Sequence, residues 1–507
     1  MSPPLKQTPP LKPTPLKASL LPSPHPYLNG AWTPLHEEVD TKDLEVIGKI
    51  PHDLAGLYIR NTENPLHDAI GVYHPFDGDG MIHAISFRNG KAHYRNKFVR
   101  TKGLIEEQRE QRSLWAGIAG NPKKSERPGW GARGDMKDAS STDVVIHGGE
   151  IISTFYMCGE AYRLDTDSLE TIGTGAYVPP EGISAHPKLD PQTSEMLFFN
   201  YGKQAPYMHY GVVGPDRQLK HYIPIELPGP RLPHDMAFTK NFSILIDLPL
   251  FWDAEKLKDG FHSAKWHPDL PTRFAIVPRH GSPNDIRWFE GAPTYVLHWM
   301  NAWEEGNEIV LDGYFQDDPD PDPLDIPGID RRFGKLLANI DQHSFKSRLH
   351  RWRFNLETGK TSEERLDERI MEFGTFNQSY AGEKSRYLYS ATSKPGWFLF
   401  NGLVKHDMET GDSEILTFGE ERYASETPFA QRTNTLDKNG RVDEDDGYLI
   451  SFVTDMKEKR SECVIIDAKD ISAGPIARII LPHQISSGTH ASWASFEEID
   501  AGLQLNS

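Results

Sequence analysis

The chain has 507 residues, with 73 Asp plus Glu against 55 Lys plus Arg and a formal charge of −18. A field of that sign repels phosphate backbones, so no nucleic-acid partner is expected, and any contact with an anionic leaflet would have to be apolar and local. Hydrophobic residues make up 37% and charged residues 25%, with 42 Gly and 39 Pro, which suits a globular, turn-rich protein and neither a disordered chain nor a long helical bundle.

In chain order, residues 1–26 (MSPPLKQTPPLKPTPLKASLLPSPHP) alternate Pro, Lys and Thr around no apolar core, and read as a flexible leader rather than a secretory signal. Residues 27–507 show no second low-complexity break, so one continuous domain is expected. Its best amphipathic helix is Leu104 to Trp115. Most other segments are short and β-prone: Asp143 to Phe155, Phe242 to Leu250, Tyr295 to Trp299, Glu308 to Phe315, Gly447 to Val453 and Glu462 to Asp467. Turn pairs such as Asn89-Gly90, Gly148-Gly149 and Asn439-Gly440 punctuate them. The stretch from Gln316 to Ile329 (QDDPDPDPLDIPGI) is too rich in Pro and Asp for a strand and reads as a surface loop.

Many short strands imply an all-β sandwich, barrel or propeller, and about 480 residues fit a propeller of roughly seven four-stranded blades. No apolar run reaches the length of about 18 residues that a transmembrane helix needs. The two cysteines, Cys158 and Cys463, favour a reducing compartment, so a cytoplasmic location is expected.

Of 21 histidines, four stand out by context: His186 in GISAHPKLDP, His234 in RLPHDMAFTKN, His298 in TYVLHWMNAWEEG and His490 in SSGTHASW. Each lies at the edge of a β-prone run. Their separations are far too long for a single-helix metal motif. Such ligands would have to come from different blades and meet on a propeller axis; the alternative is that they are ordinary loop histidines.

The ordered motifs resemble the carotenoid cleavage oxygenases over nearly all of the chain after the leader. YLNGAWTPLHEEV and the segment Leu44 to Pro65 (LEVIGKIPHDLAGLYIRNTENP) resemble that family's opening strand and its Arg-Asn and Asn-Pro signature, which stands here as RNTENP (Arg60 to Pro65). YHPFDGDGMIH (Tyr73 to His83) resembles its Phe-Asp-Gly-Asp-Gly-Met motif. HYRNKFVRT follows, and then the four histidine contexts in the family's order.

The resemblance implies a seven-bladed β-propeller with a dome of helices and loops over the axial face, and Fe(2+) held by His186, His234, His298 and His490. It also implies glutamates behind the ligands that accept the other ring N–H of each; two map onto Glu372 and Glu426. The third falls on STFYMCGEAYRLD, where Tyr156 or Met157 stands in the acid's place and Glu160 is displaced. Either Glu160 serves through a local shift or one histidine has lost its partner, and the loss is the expectation.

The implied reaction uses O2 to split an interior C=C bond of a carotenoid or apocarotenoid into two carbonyl products. Stilbene or phenylpropene cleavage is the alternative within the family, disfavoured because IISTFYMCGEAY holds no lysine for a phenol. A non-catalytic binding propeller is the alternative outside it. An apolar polyene must arrive from a membrane or a carrier. Leu248 to Trp252 (LPLFW) is the candidate for a shallow peripheral membrane contact, unless it packs in the core.

Overall fold

The computed structural model describes residues 15–130, 136–259, 261, 263–432 and 443–507. Antiparallel meanders dominate them. The second to fifth units each have four strands, beginning respectively at Asp143–His147, Lys188–Leu189, Ala237–Phe238 and Trp299–Glu305. The sixth runs from Met371–Thr375 to Ser413–Thr417. The seventh is built on Gly447–Asp455, Arg460–Asp467 and Pro475–Ile480, and a single register pair, Phe400 with Ala424, joins the two into one ten-stranded sheet.

The first and seventh units are each made from both ends of the chain. Ala491–Ser495 pairs with Gly56–Arg60, placing a C-terminal strand inside the first meander. Val46–Gly48 pairs with Pro475–Ile480, placing an N-terminal strand on the last. This interlock gives the seven units the order of a seven-bladed propeller, in which hydrogen bonds rather than a loop join first to last.

Burial follows from that order. Central strands such as Met196–Tyr201 and Gly447–Asp455 are buried at every position, because both of their faces meet neighbouring sheets. Outer strands such as Thr361–Arg365 alternate with solvent. Gln316 ends the strand Glu308–Gln316, residues 317–329 hold no strand, as their composition predicts, and Asp317 takes Arg348 and Arg365 from the next two strands of the same fifth unit.

Two expected elements shift. The helix spans Lys102–Glu110, capped by Thr101, whose hydroxyl accepts the Leu104 N–H at 3.0 Å. It stops at Gln111, which turns left-handed (φ 55°), so Leu114 and Trp115 belong to the following loop. The segment Tyr295 to Trp299 is not a strand until Trp299, and His298 sits on the non-repetitive residues before it.

Of the leader, residues 1–14 lie outside the described residues. Residues 15–26 run along the body: the Lys17 N–H donates to Gln108 Oε1 at 2.8 Å and the Ser19 N–H to Leu66 O at 2.8 Å. The segment Leu248 to Trp252 is packed rather than presented. Leu248 and Trp252 are 3% and 4% exposed. The Phe251 ring is sandwiched between His267, stacked at 4.1 Å, and the Arg231 guanidinium at 3.9 Å. Leu250 and Phe251 stay half-buried between these packed residues, and nothing there supports a membrane contact. No helix among the described residues is long and apolar enough to cross a membrane.

Candidate metal centre

The four singled-out histidines occupy equivalent places. His186 precedes Lys188–Leu189, His234 precedes Ala237–Phe238, His298 abuts Trp299–Glu305 and His490 abuts Ala491–Ser495. Each thus stands where the chain enters the innermost strand of its unit, and the propeller order turns that shared position into convergence. One ring nitrogen from each lies within 4.8 Å of the other three.

The entry segments are held in place by groups from neighbouring units. Asp235, beside His234, accepts Lys188 Nζ at 2.7 Å and the Trp299 N–H at 2.9 Å, which ties together the segments carrying three of the histidines. The Asn61 N–H donates to the His490 carbonyl at 2.9 Å, and Arg60 Nη2 to Ser486 O at 2.7 Å. Gly488 allows this approach: a Cβ there would lie 2.6 Å from both Arg60 Nε and Asn61 O. The Arg-Asn signature of the opening strand is therefore a clasp on the C-terminal ligand segment.

Carboxylates stand behind three of the rings. His298 Nδ1 is 2.7 Å from Glu372 Oε2, and His490 Nδ1 is 3.2 Å from Glu426 Oε2, which also accepts the Ala491 N–H at 2.7 Å. Without a cation, burial holds the Glu372 carboxyl well above the usual carboxylate range. With a cation among the rings an ionised carboxylate would be favoured and would only accept, so each of these Nδ1 atoms would carry the proton and each Nε2 present a lone pair. Both predicted glutamates thus reach a histidine. At the third position, Glu160 points away: its carboxylate pairs with Lys102 and its N–H donates to Asp138. Met157 is buried in an apolar cluster, with the Tyr201 hydroxyl 3.4 Å from its sulfur.

The acid that sequence reasoning missed is Asp143, whose Oδ2 accepts the His186 N–H at 3.1 Å and lies 3.5 Å from His186 Nδ1. Nothing local in SSTDVV marks it; only its place at the start of the second unit's inner strand does.

The donor set fits a divalent ion. His186 Nε2 and His234 Nε2 face each other at 3.1 Å, close to the roughly 3.0 Å expected between adjacent nitrogens bound at about 2.1 Å to one metal at right angles. His298 Nε2 is buried with no hydrogen-bond partner. Burial, reinforced by the neighbouring imidazoles, holds His186 and His298 far below the usual histidine range, and burial together with His490 takes His234 down to about 3. Neutral rings with converging lone pairs repel one another unless a cation lies between them. His490 goes the other way: burial pulls it down, but Glu426, Asp143 and Glu63 together outweigh that and raise it. A metal ion would displace the proton that these acids favour there.

Two backbone strains lie here. His186 (φ 63°) and Phe373 (φ 50°) are left-handed, and the Phe373 ring stacks on His490 at 4.8 Å and 24°. The Phe373 ring also meets Phe398 and Phe400, in a buried cluster that includes Phe333 and Leu337 from the short helices of Arg331–Ala338.

Residues 32–495 match the retinal pigment epithelial membrane protein family. The chain is 32% identical over 511 residues to carotenoid 9,10(9′,10′)-cleavage dioxygenase 1 of Arabidopsis thaliana, covering 93% of this chain and 90% of that one. It is 30% identical over 492 residues to isoeugenol monooxygenase of Pseudomonas putida, covering 93% and 98%. Among solved structures it is similar to Pseudomonas brassicacearum lignostilbene dioxygenase, at 28% identity and a TM-score of 0.80 over 94% of this chain and 100% of that one. It is also similar to Synechocystis apocarotenoid oxygenase, at 27% identity and 0.79 over 93% and 99%, a protein also solved in a cobalt-substituted form.

Proposed function

The chain belongs to the retinal pigment epithelial membrane protein family, that of the carotenoid cleavage oxygenases, and from that footing we propose that it is an Fe(II)-dependent dioxygenase cleaving an interior C=C bond of a carotenoid or apocarotenoid. It is an oxidoreductase that incorporates O2. One alkene and one O2 give two aldehydes, with each oxygen atom ending on one of the two former alkene carbons. The observation that carries the reading is the convergence of four histidine nitrogens within 4.8 Å with carboxylates behind them. Four neutral imidazoles suit Fe(II) and leave coordination positions open. Bound there, Fe(II) would supply the one-electron chemistry that lets triplet O2 react with a closed-shell alkene.

The protein's own part is positioning and exclusion. Glu372 and Glu426 fix the His298 and His490 ring planes and tautomers. Phe373 covers the edge of the cluster and keeps bulk water from two of its rings. The apolar polyene is favoured over a phenolic stilbene or phenylpropene because the segment IISTFYMCGEAY carries no lysine, and its Phe155–Met157 packs with Met208, Met236 and Trp252 in one buried apolar cluster. The isoeugenol and lignostilbene relatives keep the aromatic alkene as the second reading.

The test is anaerobic reconstitution with Fe(II), then incubation in air with β-carotene, an apocarotenal, isoeugenol and a hydroxystilbene, reading aldehydes by mass. About one iron per chain and aldehydes from the polyenes are expected. Full zinc occupancy with negligible iron in active protein overturns the mechanism, and turnover of the phenols alone selects the second reading.

A further inference from the structure

Asp143 corresponds to neither of the glutamates expected behind the ligands, yet it is placed as they are. It opens the inner strand of the second unit, opposite Thr154 across the hairpin, and is 7% exposed. Its Oδ2 accepts the His186 N–H at 3.1 Å. That bond matters because His186 is held in the left-handed region, which strains a residue with a Cβ and persists only where the surroundings enforce it. The same oxygen lies 3.5 Å from Nδ1 of the ring, so one carboxylate grips both the kinked backbone and the imidazole it aims. At that distance the ring contact is electrostatic rather than a short hydrogen bond, in a site dry enough for charge to act strongly.

The segment where a third acid was expected contributes none, since Met157 is packed among apolar side chains and Glu160 is engaged with Lys102. We propose, resting on the iron reading above, that Asp143 is the third anionic positioning residue of the metal centre: it fixes the His186 kink and ring and supplies the negative charge that the Phe155 to Glu160 segment lacks. Asp143, Glu372 and Glu426 then stand behind His186, His298 and His490. His234 is left as the ligand with no recorded acid on Nδ1 among the described residues, because its neighbour Asp235 is committed to Lys188 and the Trp299 N–H.

The charge and the backbone grip can be separated. Asparagine at 143 keeps a carbonyl oxygen for the His186 N–H and loses the charge; glutamate keeps the charge. Removing a partner of a metal-bound histidine typically costs 10- to 100-fold in affinity, and the 3.5 Å contact places Asp143 near the lower end, at about tenfold.

Iron-loaded wild type, Asp143→Asn, Asp143→Glu and His298→Ala are compared by iron loss to a ferrous chelator, by the ferric/ferrous midpoint potential, and by melting of the metal-free protein. Asp143→Asn is expected to lose iron about tenfold faster and at a raised potential, since one anion fewer disfavours the ferric state, while melting as wild type does without metal. Asp143→Glu is expected to restore the potential. Wild-type retention and potential in Asp143→Asn would reduce Asp143 to a backbone clamp and overturn the proposal. If Asp143→Asn fails to fold, Asp143→Glu decides alone: a shifted potential despite its charge overturns the proposal. Iron retained by His298→Ala refutes the iron reading instead.

Discussion

Glu372→Gln is the sharpest single test of the acid shell. The side chain is fully buried, one oxygen accepts both His298 Nδ1–H at 2.7 Å and the Phe373 N–H at 2.8 Å, and the other oxygen has no partner. Glutamine is isosteric, so it opens no cavity, and its carbonyl can still accept both N–H groups. What disappears is the charge. A hydrogen bond to a charged group contributes about 1.5–3 kcal/mol against about 1 for a neutral one, so the expected loss is about 0.5–2 kcal/mol, or roughly 2- to 30-fold in iron affinity. Turnover per bound iron should fall within the 10- to 100-fold range usual for such partners. The strained Phe373 backbone keeps its acceptor, so melting of the metal-free variant should stay close to that of wild type. The assay pairs chelator competition with steady-state aldehyde formation at saturating iron. Iron affinity and turnover both within twofold of wild type would mean that the His298–Glu372 contact orients nothing and that the charge argument is wrong.

Glu160→Gln should leave iron content and turnover unchanged, because its carboxylate faces Lys102 rather than a histidine; a loss matching that of Glu372→Gln would place it behind a ligand after all. Trp252→Ala should lower stability by about 3–5 kcal/mol, as expected for emptying a buried aromatic site, and liposome flotation of the folded fraction should match wild type; selective loss of lipid binding at unchanged stability would contradict the packed assignment. Asp367 governs part of the acid limb: burial alone would raise it, but the Arg369 side chain and N–H, with His406, hold it at about 2. A depressed carboxylate contributes stability above its unfolded value near 3.8 that is lost as pH falls towards 2, so Asp367→Asn should unfold at a higher pH during acid titration, and superimposable acid limbs would remove the ion pair from the account.

How legible the fold was depends on what each element needs. The strands around Phe242 and Gly447 are specified by β-branched and aromatic runs between turn residues, signals that act within a few positions. The helix end was misplaced because Leu104, Leu114 and Trp115 keep a helical spacing, whereas the stop is made by Gln111 turning left-handed and by Glu107 Oε1 accepting the Leu114 N–H at 2.8 Å. That competition is settled by a side-chain capture that no periodicity encodes. The pairing of both chain ends into the first and seventh units was equally hidden, since Ala491–Ser495 finds its partner more than 400 residues away.

The site shows the same division more sharply. The histidines were legible because each sits in a distinct local context, and Glu372 and Glu426 because they fall within matched motifs. Asp143 has no such context, and its meaning comes from position alone. Taken around the ring, the inner strands or their entries contribute His490, Asp143, His186, His234, His298, Glu372 and Glu426 from units one to seven in turn. Further acids stand beside these groups, Asp235 next to His234 and Glu63 near His490, so the four imidazoles sit within a shell of carboxylates drawn from several units. The Phe155 to Glu160 segment leaves the second unit's inner hairpin beside Asp143, which pairs with Thr154, so an acid missing from that segment can be replaced from the strand opposite it. The opening residue of that strand, Asp143, is such a place. A carboxylate there lies 3.5 Å from Nδ1 of His186 in the next unit and also bears on His490 of the preceding one, and no acid among the described residues is seen on the His234 ring.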